Sequence, residues 1–104
     1  MEKRTFERID TNLEVNFDCG NSMRNGTVTN ISERGMFIYT NMEFPLDLSF
    51  DLHLNLENKM IRTPVTVKRI ARADRYYGGI GVELLNPTRN YLEFIDRLKR
   101  GKEV

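Results

Sequence analysis

Leu46-Asp47-Leu48-Ser49-Phe50-Asp51-Leu52-His53-Leu54-Asn55-Leu56-Glu57 alternates without a break, apolar at each even position and polar at each odd one. Side chains on a strand point to opposite faces in turn, so this stretch predicts a long strand with one buried and one wet face. Glu57-Asn58-Lys59 then closes a hairpin. On its far side Ile61, Thr63, Val65 and Val67 repeat the alternation. Pro64 falls inside that second run and cannot donate to a ladder, which predicts an edge position or a bulge. Further out, Leu13, Val15 and Phe17 show the same period, as do Ile80, Val82 and Leu84. Met36-Phe37-Ile38-Tyr39 is apolar on both faces, as in a strand covered on both sides. Cys19-Gly20-Asn21-Ser22 and Asn25-Gly26 supply turn chemistry, and Gly78, Gly79 and Gly81 mark close backbone approach or a bend. Short, evenly spaced strands predict a small antiparallel barrel or sandwich of about six strands.

The period changes after Asn86-Pro87-Thr88. Tyr91, Leu92, Ile95 and Leu98 recur at helical spacing, with Phe94 beside the stripe. Thr88 or Asn86 can cap the start, Arg97, Lys99 and Arg100 suit the last turn, and Gly101 is a natural stop. The expected organisation is one domain over 1–104: an arm at 1–10, a barrel over 11–85 and an amphipathic helix over 87–101. The helix is too short to fold alone, so it covers an open face or end of the sheet.

With 104 residues, 39% of them hydrophobic and 30% charged, the composition is that of a folded domain. Sixteen basic and fifteen acidic side chains leave a formal net charge of +1. Proteins that coat long nucleic acids by releasing counterions carry a larger basic excess. A small anionic ligand needs only a few well-placed cations. The single cysteine, Cys19, allows neither an internal disulfide nor a cysteine zinc site, and reads as an incidental turn residue. No signal peptide and no membrane-spanning apolar run is visible, so the expected compartment is the cytoplasm.

Three groups of residues carry candidate chemistry. Asp47, Ser49, Asp51 and His53 contain the residue types of a hydrolytic triad. Neighbours on one strand face point in parallel, however, whereas nucleophile and base must converge. We read that face as solvated. The arm Lys3-Arg4-Thr5-Phe6-Glu7-Arg8 places two guanidiniums four residues apart on one side, where each can fork onto a phosphate or lie on a purine. Taken singly it is a charged chain end. Thr29-Asn30-Ile31-Ser32-Glu33-Arg34-Gly35 is a polar turn between strands, with side-chain oxygens placed to meet backbone N–H groups. Taken singly it is an ordinary turn.

Taken together, Arg4 and Arg8 form RxxxR, and Asn30, Ser32 and Gly35 form NxSxxG, with one predicted strand between them. This pair resembles the defining motifs of the PilZ domain family, RxxxR followed by [D/N]xSxxG. The Gly79-Ile80-Gly81-Val82-Glu83-Leu84 stretch is similar to that family's late glycine-containing strand. The resemblance implies a mainly β fold, a six-stranded antiparallel split barrel followed by a C-terminal helix. It also implies a bacterial cyclic di-GMP receptor rather than an enzyme, with no cofactor or metal. Arg4 and Arg8 would then grip phosphate and guanine, Asn30 and Ser32 would read a guanine edge, and Gly35 would shape the turn. Lys3, just before the motif, bears on whether one ligand or a stacked pair is bound, and Arg34 is an additional contact. The arm would order over the ligand and present a new surface to a separate protein effector or to a second copy of the chain. Two other readings compete. One is an interaction adaptor on the same fold that binds no nucleotide. The other is a small-barrel binder of single-stranded nucleic acid, using the patch Lys68, Arg69, Arg72, Arg75, Tyr76 and Tyr77.

Overall fold

The structure, a computed structural model, describes residues 8–18, 23–40, 44–56, 59–72 and 78–102. Lys3, Arg4, Cys19, Arg75, Tyr76 and Tyr77 therefore lie outside the described residues. The described chain runs β1 (Ile9–Asp18), β2 (Met23–Ile31), β3 (Gly35–Thr40), β4 (Ser49–Leu56), β5 (Lys59–Arg72), β6 (Gly78–Leu84) and α1 (Arg89–Lys102). The strands close into an antiparallel barrel in the order β1-β2-β3-β6-β5-β4, with β4 returning to β1. Among the described residues each strand has a neighbour on both sides, so inward faces can be apolar and outward faces wet.

The inward set follows the alternation of the sequence. Val15 and Phe17, Leu52, Leu54 and Leu56, Ile61, Thr63, Val65 and Val67, and Ile80, Val82 and Leu84 are all buried. Phe17 meets Phe44 and Phe50 edge-on, at centroid distances of 5.5 and 5.6 Å, while Phe44 and Phe50 stack at 5.1 Å. Phe17 and Phe44 belong to the buried core, to which helix α1 adds Tyr91, Phe94 and Ile95, with Leu98 packed against it.

Four expectations are corrected. The strand predicted from Leu46 begins at Ser49. Asp47 takes a left-handed φ of 67°, its N–H donates to Val67 O, and Leu48 N–H donates back to Pro45 O. That turn leaves Leu46 56% exposed. The strand Met36–Tyr39 is not covered on both sides: Met36 and Ile38 are buried, Phe37 is half-buried and Tyr39 is exposed. The helical stripe is Tyr91, Phe94, Ile95 and Leu98, and Leu92 is on the wet side. Gly101 does not end the helix, which continues to Lys102.

Pro64 is not in a bulge but lies just outside the β5–β6 ladder, which begins at Val65, so on that side it has an edge position. It pairs with Asp51 of β4, and its carbonyl accepts Leu85 N–H from beyond the end of β6. In a ladder, N–H and C=O of one residue face the same neighbour. The missing N–H therefore leaves out only the return bond to Leu85, just past the end of β6.

Candidate functional site

Three register shifts shape the site, one of them in β1, where Thr11 and Asn12 stand against Thr29 between the Asp10–Asn30 and Leu13–Val28 pairs. In β2, Val28 pairs with Ile38 and Asn30 with Phe37, so Thr29 is an extra residue relative to β3. Regular alternation would put Asn30 on the inward face of Val28. The extra residue reverses this: Val28 and Ile31 are inside, and Asn30 is half-buried on the outer face. In β5, Val67 pairs with Val82 and Arg69 with Gly81, so Lys68 is the extra residue and Arg69 is turned outward. The consequence is one cross-strand row of partners on the outer surface: Asp10, Asn30, Phe37, Gly81, Arg69. Gly81 has no side chain to fill the middle of the row. Arg69 lies across it, with its guanidinium carbon 5.9 Å from the Phe37 ring centroid, within cation–π range.

Above this row is a cleft of about 500 Å³ lined by Arg8, Asn30, Met36, Phe37, Lys68, Arg69, Gly81 and Val82. Its charged lining residues are all cations. Arg8 enters from just before β1, and its Nε donates to Asn30 Oδ1 at 2.8 Å. The structure therefore brings together one member of each sequence motif, 22 residues apart in the chain. Lys68 also approaches Glu83 and Asp47, at 3.9 and 4.0 Å, in exposed pairs that salt screens readily.

Ser32, Arg34 and Gly35 stand behind the cleft rather than in its lining. Ser32 is buried, and its Oγ accepts the N–H groups of Gly35 at 3.2 Å and Arg34 at 3.3 Å. Ser32 N–H in turn donates to Gly35 O at 2.8 Å. The hydroxyl that sequence reasoning assigned to a base edge is thus engaged in bracing the turn. A Cβ on Gly35 would sit 2.7 Å from Val82 O, a backbone atom that cannot swing away, so close approach to β6 requires glycine there. Gly79 has the same role beneath the Phe37 ring, whose Cζ would lie 2.4 Å from an added Cβ. Arg34 reaches Glu83 at 3.9 Å on the exposed side of the turn, and its carbonyl accepts Leu84 N–H.

Helix α1 holds the turn from below. Thr88 caps the helix by accepting Tyr91 N–H at 3.2 Å. Tyr91 is fully buried and donates its hydroxyl to Ser32 O at 2.6 Å. Burial raises its phenol well above the ordinary tyrosine range, which the nearby Arg8 charge partly opposes and Glu33 reinforces. Lys99 Nζ meets Glu33 Oε2 at 2.7 Å.

Sequence reasoning placed Lys68 and Arg69 in a separate nucleic-acid patch and missed Phe37. The available signal was a basic pair following an alternating apolar run, but its meaning depended on an unseen bulge. The triad residue types do not converge: Ser49 Oγ bonds Thr66 Oγ1, Asp51 pairs with Arg62, and Asp47 lies in its own turn. Among the described residues no group of three metal-ligating side chains is assembled, and no helix is long and apolar enough to cross a membrane.

The domain is thus a closed barrel with a cationic outer cleft and a helix-braced polar turn. The chain matches the model of the PilZ domain over residues 2–101, and it belongs to that family. No curated protein matches it in sequence. Solved structures share its fold. The inhibitor of motility MotI/DgrA of Bacillus subtilis has a TM-score of 0.81 at 19% identity, over 98% of this chain and 52% of that one. The PilZ domain of Escherichia coli YcgR, solved with c-di-GMP, has a TM-score of 0.76 at 14% identity, over 97% and 95%. The MrkH–c-di-GMP complex of K. pneumonia has a TM-score of 0.72 at 14% identity, over 94% and 51%. The chain spans about half the length of MotI and MrkH.

Proposed function

We propose that this domain binds cyclic di-GMP in the cleft between Arg8 and Arg69 and signals through the resulting change of conformation. The observation that carries the reading is the Arg8–Asn30 contact, which unites the two family motifs at the rim of a cleft whose charged lining, among the described residues, is cationic. The ligand has two phosphates and two flat bases. Arg8 and Arg4 of the same arm supply forked donors to phosphate, and Lys3 adds charge. Asn30 offers an amide to a guanine edge. Ser32 and Gly35 hold that amide in place through the turn, and Arg34 adds a cation at its margin. Lys68 extends the positive surface, while Phe37 and Arg69 form a flat platform for a base. Binding, rather than turnover, is the activity this arrangement suits, since the described residues of the cleft lining are two arginines, a lysine, an asparagine and apolar groups. The bound arm presents a new surface to a separate effector protein or to a second copy of the chain.

The test is calorimetric titration with cyclic di-GMP, which reads affinity and stoichiometry together. A charge-assisted contact contributes about 1.5–3 kcal/mol, so Arg8→Ala weakens binding roughly tenfold to a hundredfold. Arg8→Lys does not restore it, because a single ammonium cannot reproduce the planar fork. Unchanged affinity in Arg8→Ala would refute the site.

A further inference from the structure

We infer that Tyr91, Glu33 and Lys99 are positioning residues that couple the Asn30–Gly35 turn to helix α1, so that ligand affinity and helix stability depend on each other. The inference rests on the nucleotide site proposed above. It concerns residues that belong to neither motif's defining positions: Glu33 occupies a free position inside NxSxxG, and Tyr91 and Lys99 lie on the helix.

The turn touches the helix at two points. Ser32 O accepts the buried Tyr91 hydroxyl at 2.6 Å, and Glu33 Oε2 accepts Lys99 Nζ at 2.7 Å. Tyr91 and Lys99 are eight residues apart, a little over two helical turns, so the turn is held at both ends of one helix face. Between them Ile95 is fully buried. The helix therefore cannot tilt at one clamp without moving the other. Ser32 is also the residue whose hydroxyl organises the Arg34 and Gly35 amides, and it lies two residues from Asn30. Any shift of Asn30 toward a ligand is thus carried to Ser32 O and Glu33, and from there to α1. The Glu33–Lys99 pair is more than two-thirds shielded on both partners, so it is screened less than the exposed pairs at Glu83. Coupling of this kind is reciprocal: if the clamps raise ligand affinity, the ligand stabilises the helix by the same factor.

The experiment compares wild type, Tyr91→Phe, Glu33→Gln and Lys99→Gln. Cyclic di-GMP affinity is measured by calorimetry, and amide hydrogen exchange with and without ligand. Tyr91→Phe keeps ring and charge and removes only the donor. We expect it to lower affinity about threefold to tenfold, the range of one neutral hydrogen bond. Glu33→Gln removes a negative charge near an anion site, which by electrostatics alone would raise affinity. Positioning predicts a fall. We also expect ligand to increase protection across 89–100 in wild type, and to do so less in Tyr91→Phe. Affinity that is unchanged in Tyr91→Phe and unchanged or raised in Glu33→Gln would overturn the inference and leave the site intact. No binding by wild type would refute the nucleotide site instead. The coupling is then decided on the free protein: it stands if the Arg34 and Gly35 amides exchange faster in Tyr91→Phe and in Lys99→Gln, and it falls if they do not.

Discussion

Tyr91 is a fully buried tyrosine whose hydroxyl reaches across the fold to Ser32. Its phenol is buried and committed as a donor, so the folded state holds the proton to higher pH than the unfolded chain does. The unfolded tyrosine ionises near pH 10. Below that pH both states are protonated and the contribution of Tyr91 to stability is complete. Above it the unfolded state releases a proton that the folded state retains, and stability falls by about 1.4 kcal/mol per pH unit until the folded phenol also ionises. Denaturant titrations from pH 8 to 11 should therefore show an alkaline loss that is smaller in Tyr91→Phe. Tyr91 was legible from sequence as a core residue of the helix, because its spacing placed it on the apolar stripe. Its bond to Ser32 was not legible, because a contact across 59 residues leaves no trace in local periodicity.

At the scale of elements, the helix depends on its first turn and on its packing. Tyr91 N–H, Thr88 Oγ1 and the 3.0 Å bond from Leu92 N–H to Thr88 O form the cap. Thr88→Ala removes the side-chain partner and should cost about 1 kcal/mol, lowering the melting temperature by several degrees in a domain of this size. Spectroscopic melting of the variant checks this. The strands show where local reading succeeds and where it stops. Ile80, Val82 and Leu84 were assigned inward from period alone, and they are inward. Leu46 and Leu48 carry the same pattern and lie outside the strand, because a left-handed Asp47 turns the chain before Ser49. Asn30 and Arg69 reach the outer face only because Thr29 and Lys68 are inserted in their strands. One residue of slip reverses every face beyond it, and no composition signal marks the slip.

Across the whole molecule, the barrel and helix share one core, since Tyr91, Phe94 and Ile95 belong to the same buried cluster as the strand interiors. Unfolding should therefore be a single cooperative event. Far-ultraviolet circular dichroism and tyrosine fluorescence should give coincident denaturation curves, and a separate early transition of the helix would contradict a shared core. The sequence by itself determined the class of fold, because alternation with period two and then period near 3.6 are backbone properties that need no partner. It also determined the family, through the spacing of Arg4, Arg8, Asn30, Ser32 and Gly35. The tertiary structure alone decided which cations surround the cleft, which hydroxyl braces the turn, and how that turn is tied to the helix. Those outcomes depend on strand register and on contacts between distant segments, and closing the barrel fixes both only after every strand has found its neighbour.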